Sequence, residues 1–438
     1  MKVIRLRDVG PIKNISMDID NGINIIIGEQ ASGKSTLAKE IYFFKKIRDY
    51  FIDYLCNSSN FTFSSSDEQY IAFLKSIRSN YMESFGTTKH LPKTYSLTYT
   101  YGEKNSVSVS LDEKNYVRFK FSAEMETQIR AALDAVKKIY DTADINGKEL
   151  YNAYLIRQKQ REDIASHFGE FAKKLFFEEG EPVYIPAGRS MLSVMSEQMD
   201  VVDVKGLDLP MRDFVRRIRE LKSRFGKKLP EVVTDYVKTI KGQIKNKDVE
   251  LAMETIEKIL HGQYVSDADG EKLYIDSKRW VKLIYSSSGQ QEALWILNML
   301  FISILENKKT FFIIEEPEAH LFPLAQKYMM EMIALTHNST GSQVLVTTHS
   351  PYILTSTNLL IYSGLIENRM NGTTSIVDRR YRLSEGTVKA YRLRTDSSFS
   401  TIMDESNSFI NAGEIDEVSE ILNNETDKMI RMEFENDL

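Results

Sequence analysis

Polar and hydrophobic residues alternate near the start of the chain, at Lys2–Arg7 and again at Ile15–Ile19. A period of two is typical of strands with one buried face. Gly10-Pro11 separates the two stretches and Asp20-Asn21-Gly22 follows the second, and both are turn signals. Residues 2–28 are therefore predicted to form strands.

A second alternating region runs from Tyr95 to Phe121, where aromatic and aliphatic residues alternate with Ser, Thr and charged residues. The pattern predicts a small antiparallel sheet. Its aromatic stripe either packs one face of the sheet or offers a stacking surface for nucleobases. Helices are predicted around it, at Gln69–Glu83, Glu124–Thr142 and Lys148–Phe177.

Continuous apolar runs occur at Ile23–Ile27, Phe311–Ile314 and Val344–Thr347. Strands that are apolar on both faces are typical of parallel sheets covered by helices. The other predicted elements are a loop at Asn57–Asp67, a short strand at Val183–Ile185, helices at Leu37–Tyr54, Asp208–His261, Gln290–Leu305 and Leu324–Thr336, hairpin strands at Gly262–Tyr285, strands at Leu359–Tyr362 and Val388–Arg394, a hairpin signal at Asn371-Gly372 and a terminal helix at Glu414–Met432.

Composition narrows the class of protein. The chain has 438 residues, of which 42% are hydrophobic and 27% charged, as in ordinary globular proteins. A net charge of −5 gives no overall basic excess that would argue for nucleic acid. The single cysteine, Cys56, excludes an internal disulfide framework and is expected to be a small buried or half-buried residue. We find no apolar run of membrane-spanning length and no signal peptide, and we expect a cytoplasmic protein.

Gly28–Thr36 lies between an apolar run and a predicted helix. Its pattern, Gly, four residues and Gly-Lys-Ser, is that of a phosphate-binding loop. Backbone N–H groups curl around a phosphate in such a loop, and a Cβ at its tight points would block that curl. Lys34 would reach the β- and γ-phosphates, and the Ser35 hydroxyl would hold Mg²⁺. The candidate nucleotide-binding residues are Gly28, Glu29, Gln30, Ala31, Ser32, Gly33, Lys34, Ser35 and Thr36.

Two other apolar strands end in groups that would act on a bound nucleotide. Glu315 and Glu316 follow Phe311–Ile314. Glu315 would hold Mg²⁺ through its water shell, and Glu316 would orient and polarise the attacking water as general base. The alternative is a polar helix N-terminus, where carboxylates are also favoured. His349, just after Val344–Thr347, suits a group that reaches the γ-phosphate, and the alternative is a structural histidine.

Ser286–Glu292 places small residues before a predicted helix. A helix N-terminus binds anions, and a second such site beside a phosphate loop suggests a second nucleotide, held by a partner chain. The alternative is an ordinary serine-capped helix start. The candidate residues are Ser287, Ser288, Gly289 and Gln290.

Basic residues concentrate between Arg212 and Lys247. They fit a solvated helix face, or a local basic patch for nucleic acid or an acidic partner. The concentration consists of Arg212, Arg216, Arg217, Arg219, Lys222, Arg224, Lys227, Lys228, Lys238, Lys241, Lys245 and Lys247.

Gly28–Ser35, Ser287–Gln290, Phe311–Glu316 and His349, in this order, resemble the ABC-class ATPases of the SMC/RecF branch. Glu-Glu-Pro-Glu-Ala-His-Leu-Phe-Pro from residue 315 and Thr-Thr-His-Ser-Pro from residue 347 look like the OLD-type subgroup. That subgroup includes ATPase subunits of bacterial anti-phage systems such as Septu, PARIS and the retron-associated ATPases.

The resemblance implies ATP and Mg²⁺ as ligands and a role for each motif. Lys34 and Ser35 match the phosphate-loop lysine and the Mg²⁺ ligand, Glu315 takes the place of the Walker B aspartate, and Glu316 and His349 match the catalytic glutamate and the switch histidine. Ser287, Gly289 and Gln290 match the signature loop that binds the opposing nucleotide. This chain departs from the pattern in three ways that fit slow hydrolysis: a glutamate at 315, Ser288 where Gly is common, and Arg189 or Ser190 where a glutamine is usual.

The implied fold is α/β, with an ABC-type P-loop ATPase core of mixed sheet, a small antiparallel sheet and helical insertions. The expected division of the chain is a core segment with the phosphate loop at 1–50, inserted helices and antiparallel strands at 51–182, a core strand and loop at 183–190, a helical insertion at 191–280, the rest of the core at 281–365 and C-terminal strands and a helix at 366–438.

The function expected from the resemblance is an ATP-hydrolysing switch that dimerises head-to-tail around two ATP molecules. It would control a separate effector, a nuclease or toxin, in anti-phage defence, because the stretch after His349 is too short for the Toprim nuclease that many OLD proteins carry. The alternatives are a RecF-like DNA-repair ATPase that binds DNA directly and a non-hydrolysing, nucleotide-dependent scaffold. The expected partners are a second copy or a higher oligomer and an effector, with nucleic acid as a further candidate and no membrane.

Overall fold

The computed structural model describes residues 2–19, 22–61, 65–141, 150–191, 206–240, 245–369, 376–406, 408–411 and 423–429. Its strands are β1 (Val3–Val9), β2 (Ile12–Asp18), β3 (Ile23–Gly28), β4 (Ser96–Thr100), β5 (Ser106–Leu111), β6 (Val117–Phe121), β7 (Glu181–Ile185), β8 (Gln263–Asp267), β9 (Gly270–Tyr274), β10 (Trp280–Lys282), β11 (Thr310–Glu315), β12 (Gln343–Thr348), β13 (Val388–Leu393) and β14 (Phe399–Thr401). Its helices are α1 (Lys34–Leu55), α2 (Ser66–Phe85), α3 (Ala123–Asp141), α4 (Leu150–Phe176), α5 (Leu209–Lys222), α6 (Leu229–Thr239), α7 (Asn246–Leu260), α8 (Ser288–Leu305), α9 (Pro323–Thr340) and α10 (Pro351–Arg369).

The central element is a mixed sheet, which within the described residues has six strands in the order β14-β13-β3-β12-β11-β7. Neighbouring strands are parallel, apart from the edge pair of β13 and β14. The apolar runs predicted as buried strands are β3, β11 and β12, which lie inside this sheet. Since β3, β7, β11 and β12 are parallel, their carboxyl ends meet at one edge, which is where open α/β sheets bind ligands.

This sheet separates two hydrophobic cores. Ile313 and Leu345 pack on one face with residues of α1, whereas Ile314 and Val346 pack on the other face with α8 and α9. Alternate residues are thus buried on both faces, which explains why these strands are continuous apolar runs in the sequence. None of the described helices, α8 included, has the length and apolar character needed to cross a membrane.

The antiparallel sheet predicted between Tyr95 and Phe121 is confirmed as β4, β5 and β6, but it also contains the first two strands. β4 pairs with β1, and the order is β2-β1-β4-β5-β6. Tyr99 is fully buried, and its ring stacks on Phe44 of α1 with 5.4 Å between the centroids. The aromatic stripe therefore packs one face of the sheet, and the nucleobase-stacking alternative is wrong for these side chains.

Most of the remaining elements are confirmed. The predicted hairpin strands form the sheet β10-β9-β8, and Asp208–His261 contains the three helices α5, α6 and α7. Residues 423–429 are helical, as predicted within the terminal segment, and the rest of Glu414–Met432 lies outside the described residues, as does Asn371-Gly372. Cys56 is half-buried.

Two local predictions are wrong. Leu359–Tyr362, predicted as a strand, lies inside α10. Only Leu360 and Ile361 of this segment are buried, and they continue the helical spacing of buried positions that starts at Ile353 and Leu354. The loop predicted over Asn57–Asp67 is shorter than expected, since Ser65 and Glu68 form a capping box that begins α2.

Candidate nucleotide-binding site

Gly28–Thr36 connects β3 to α1, as its sequence pattern predicts. Ala31 and Gly33 have positive φ angles of 63° and 104°, so the backbone curls. The Lys34 ammonium lies inside the curl and donates hydrogen bonds to the carbonyl oxygens of Gly28 and Glu29 at 2.9 and 2.7 Å. The positive end of α1 faces the same space, which makes this loop suitable for an anion.

The requirement for glycine differs between the two glycines of the loop. A Cβ on Gly28 would lie 2.0 Å from the carbonyl oxygen of Leu393 in β13. A Cβ on Gly33 would come within 2.9 Å of the side chains of Pro11 and Ile12. Gly28 is thus required by the close approach of β13, a reason that the sequence pattern alone did not indicate.

Nearby carboxylates act electrostatically on the phosphate-loop lysine. Burial lowers the pKa of Lys34, and the negative charges of Glu316, Glu318 and Glu315 oppose that shift, in decreasing order. These residues come from the end of β11 and the turn after it. The structure therefore brings the phosphate loop and the predicted acidic residues to the same edge of the sheet.

Glu315, the last residue of β11, is 5% exposed. Its Oε2 atom accepts a hydrogen bond of 3.4 Å from the Ala187 amide, and its Oε1 atom is buried without a hydrogen-bond partner. An unpaired buried carboxylate oxygen is costly, and a divalent cation would satisfy it.

Mg²⁺ fits this donor set. The Ser35 side chain lies exposed in the first turn of α1, and Glu315 supplies the carboxylate. Across the described residues there is no cluster of three or more His, Cys, Asp or Glu side chains that could hold a metal. Mg²⁺ in nucleotide sites needs no such cluster, because it takes one or two carboxylates together with phosphate oxygens and water.

Glu316 follows with a φ of 45°, which is uncommon for a residue with a side chain. Its amide donates a 2.8 Å hydrogen bond to the carbonyl oxygen of Thr347, and its Oε1 atom lies 3.3 Å from Nε2 of His349. The side chains of Glu316 and His349 are 38% and 36% exposed. The helix N-terminus alternative does not apply, because α9 begins only at Pro323.

Glu318 belongs to this site but was not predicted from the sequence. Its Oε1 atom accepts hydrogen bonds of 2.7 Å from the Thr348 hydroxyl and from the His349 amide. Its Oε2 atom is buried without a hydrogen-bond partner. Glu318 therefore fixes the end of β12 beside Glu316. The sequence signal that could have identified Glu318 is the third carboxylate of Glu-Glu-Pro-Glu.

Arg189 occupies the loop after β7, where the ATPases that the sequence resembles usually place a glutamine. Its side chain is fully buried and faces main-chain carbonyl oxygens rather than the open site. The guanidinium donates to Pro186, Glu315, Glu316 and Glu292 at 2.5, 2.7, 3.0 and 2.8 Å. Burial lowers the pKa of Arg189, and the carboxylate of Glu292 most strongly opposes that shift.

The Ser287–Gln290 loop begins α8 with a capping box, so the serine-capped helix start is present. The Gln290 side chain accepts a hydrogen bond from the Ser287 amide at 2.9 Å and donates one to the carbonyl oxygen of Leu260 at 2.6 Å. Ser287 and Ser288 are exposed. A Cβ on Gly289 would lie 2.6 Å from the carbonyl oxygen of His320, which shows how closely this loop approaches the turn after Glu316.

Two groups of predicted residues can thus be distinguished. Residues 28–36, Glu315, Glu316 and His349 meet at one edge of the sheet. Within the described chain, the hydrogen bonds of Ser287–Gln290 stay inside that loop and the adjacent helices, and none reaches residues 28–36. This loop leaves Ser287 and Ser288 free to contact another molecule.

The basic segment between Arg212 and Lys247 is largely neutralised by carboxylates. Its ion pairs are Arg212–Glu83, Arg216–Asp213, Arg217–Glu181, Lys222–Glu271, Arg224–Glu306, Lys227–Asp235, Lys238–Asp235 and Lys247–Glu250. Lys241 lies outside the described residues. The ion pairing favours a solvated, charge-balanced face over a patch for nucleic acid.

The family model described as AAA ATPase domain matches residues 1–354, which include every residue of the site. The chain belongs to this ATPase family. An ATPase of this family binds ATP, which agrees with the phosphate loop. Among curated proteins, none matches the chain.

Solved structures similar to this ATPase are distant in sequence. An Smc head bound to the C-terminal winged-helix domain of ScpA has 11% identity and a TM-score of 0.41, covering 92% of this chain and 97% of that chain. The SMC head domain from Thermotoga maritima has 13% identity and a TM-score of 0.34, covering 81% and 92%. An Smc head domain with an extended coiled coil, bound to the C-terminal domain of ScpA from Pyrococcus furiosus, has 13% identity and a TM-score of 0.40, covering 92% and 96%.

Proposed function

We propose that this ATPase is a switch that binds and hydrolyses ATP and dimerises head-to-tail around two ATP molecules. The observation that carries the proposal is the meeting of Lys34, the unpaired Glu315 oxygen and the Glu316–His349 pair at one sheet edge. In this arrangement the phosphate loop would hold the phosphates. Ser35 and Glu315 would hold Mg²⁺, which neutralises charge on the phosphate oxygens.

Hydrolysis would depend on Glu316 and His349, whose side chains are about one third exposed. Glu316 would accept the proton of the attacking water, and His349 would fix the carboxylate and contact the γ-phosphate. The Ser287–Gln290 loop would contribute its helix N-terminus to the nucleotide of the partner chain. Closure of the dimer would then depend on ATP, since no hydrogen bond joins the Ser287–Gln290 loop to the phosphate loop among the described residues.

We further propose that the closed and open dimers control a separate effector, a nuclease or toxin, in bacterial anti-phage defence. This part rests on the likeness of residues 315–323 and 347–351 to the OLD-type subgroup. A nuclease or toxin gene beside this gene, whose product co-purifies with the ATPase, would support it. If cells carrying both genes resist phage equally with wild-type chain and with Glu316→Gln, control through hydrolysis is excluded.

Direct DNA binding is the alternative, and the ion pairs of the basic segment speak against it. A DNA-binding ATPase would show DNA-stimulated turnover that falls steeply with salt. We expect turnover to change by less than about twofold when duplex DNA is added at low salt, where phosphate contacts are strongest. Strong, salt-sensitive stimulation would instead support the DNA-binding function.

A further inference from the structure

Arg189 joins three separate parts of the site through main-chain atoms. Nη1 donates to the carbonyl oxygens of Pro186, after β7, and Glu315, at the end of β11. Nη2 donates to the carbonyl oxygen of Glu316, and Nε donates to that of Glu292 in the first helical turns of α8. The buried guanidinium of Arg189 therefore contacts both the backbone of Glu315 and Glu316 and the helix α8, which begins at the Ser287–Gln290 loop.

Glu292 holds this arrangement from the other side. Its Oε2 and Oε1 atoms accept hydrogen bonds of 3.0 Å from the amides of Arg189 and Ser190, and Oε2 lies 3.3 Å from Nε of Arg189. Both side chains are almost completely buried, with exposures of 0% and 2%. A pair this deeply buried, with several hydrogen bonds on each partner, has one favoured geometry, because breaking it leaves an uncompensated charge.

The carbonyl of Glu316 that Arg189 binds belongs to a residue with a positive φ. Such a conformation persists only when the surroundings enforce it. A rotation or shift of α8 would move Glu292 and, through the guanidinium, the backbone that aims the Glu316 carboxylate. A small displacement of a general base is enough to change the rate of a reaction strongly.

We propose that Arg189 is a positioning residue that transmits the state of the Ser287–Gln290 loop to Glu316 of the same chain. The proposal rests on the proposed ATP-sandwiched dimer, in which that loop contacts the nucleotide of one site and Glu316 serves the other site. Arg189 and Glu292 then couple the two sites, so that engagement of one nucleotide by α8 sets the catalytic carboxylate at the second.

The test is a double-mutant cycle between Arg189→Lys and Ser287→Ala, read as the turnover rate at saturating ATP. A lysine keeps the charge but presents one nitrogen, which cannot span the four carbonyl oxygens. Arg189→Lys is expected to lower kcat about 10- to 100-fold, while affinity for a fluorescent ATP analogue and ATP-dependent dimerisation remain within about threefold of wild type. Arg212→Lys, which affects the exposed pair with Glu83, is the matched control and should leave turnover unchanged.

Coupling between the two sites requires that the effects of Arg189→Lys and Ser287→Ala on kcat do not multiply. Ser287→Ala should lower kcat clearly in the wild-type background and by less than about twofold in the Arg189→Lys background. If Arg189 were merely structural, the effects of Arg189→Lys and Ser287→Ala on kcat would multiply, and this result would overturn the proposal. An Arg189→Lys chain with normal kcat would also overturn it. If Arg189→Lys loses its cooperative melting transition, Glu292→Gln, which keeps the size of the side chain and one acceptor, takes its place in the same cycle.

Failure of the proposed function would be recognised separately. It would be seen as absence of turnover in the wild-type chain, or as turnover that Glu316→Gln leaves intact. A wild-type chain that hydrolyses ATP, with effects of Ser287→Ala and Arg189→Lys that multiply, overturns only the role of Arg189.

Discussion

The Nε2 atom of His349 lies 3.3 Å from the Oε1 atom of Glu316, and both side chains are about one third exposed. Glu318 holds His349 in this place through the histidine amide. The carboxylate is thus oriented by a neighbour but open to solvent, which is what a general base for an attacking water requires.

Replacement of Glu316 by glutamine should therefore stop hydrolysis without weakening binding. The amide keeps the shape of the side chain but does not accept a proton, and we expect kcat to fall about 10²- to 10⁴-fold. Affinity for ATP and ATP-dependent dimerisation should be retained. Phosphate release and equilibrium binding measure the two quantities, and turnover above one tenth of the wild-type value would remove Glu316 from the role of base.

Lys34→Ala should abolish ATP binding, because the ammonium lies inside the phosphate loop, where it donates to the carbonyl oxygens of Gly28 and Glu29. Calorimetric titration of the purified chain with Mg-ATP measures the loss. Lys39→Ala is the matched control, since Lys39 lies on the same helix and pairs with Asp208. Normal turnover by Lys34→Ala would show that the nucleotide binds elsewhere.

Ser287→Arg should block ATP-driven dimerisation. The side chain is exposed at the start of α8, and an arginine there would fill the space that a partner's phosphate needs. Ser287→Ala is the control, because it removes the same helix cap, at a cost of about 1 kcal/mol, without filling that space. Sedimentation with and without ATP measures the dimer, and ATP-dependent dimers of Ser287→Arg would contradict the sandwich.

The parts of the site that could be predicted from the sequence are those encoded by neighbouring residues. The phosphate loop and the acidic end of β11 are contiguous patterns, and parallel strands bring their carboxyl ends together by geometry. The middle strands β3, β11 and β12 of the central sheet were also predicted, because each is a continuous apolar run.

What could not be predicted depends on residues far apart in the chain. Arg189 meets Glu292 and Glu316 only after β7 and β11 pair, and Gly28 is required by the carbonyl of Leu393 in β13. The strand predicted at Leu359–Tyr362 failed because a short apolar run does not distinguish a strand from a buried helix.

A buried carboxyl far from the nucleotide gives the last prediction. Glu40 lies on α1, and its Oε1 atom accepts a 2.8 Å hydrogen bond from the hydroxyl of Tyr81, which also bonds to the hydroxyl of Tyr95. Burial raises the pKa of Glu40 to about 8, against a smaller opposing effect of the Tyr81 hydrogen bond. In the folded chain the Glu40 carboxyl therefore keeps its proton up to about pH 8. In the unfolded chain the same carboxyl releases its proton above the ordinary glutamate pKa of 4.5.

The sign of the pH dependence follows from this difference. Since the folded pKa is raised, the contribution of Glu40 to the free energy of unfolding is complete below pH 4.5 and decreases up to about pH 8, by about 1.4 kcal/mol per pH unit. Glu40→Gln keeps the acceptor for Tyr81 but does not ionise. The variant should therefore gain stability relative to wild type as pH rises, by roughly 2–3 kcal/mol between pH 6 and pH 8.

Urea unfolding of wild type and Glu40→Gln at pH 6 and pH 8 measures this gain in stability. Because the gain is the difference between variant and wild type, the effects of other titrating groups cancel. Glu113→Gln, which changes an exposed carboxyl at a turn, is the control and should show no such trend. A stability difference between Glu40→Gln and wild type that stays constant with pH would mean that Glu40 is not held protonated.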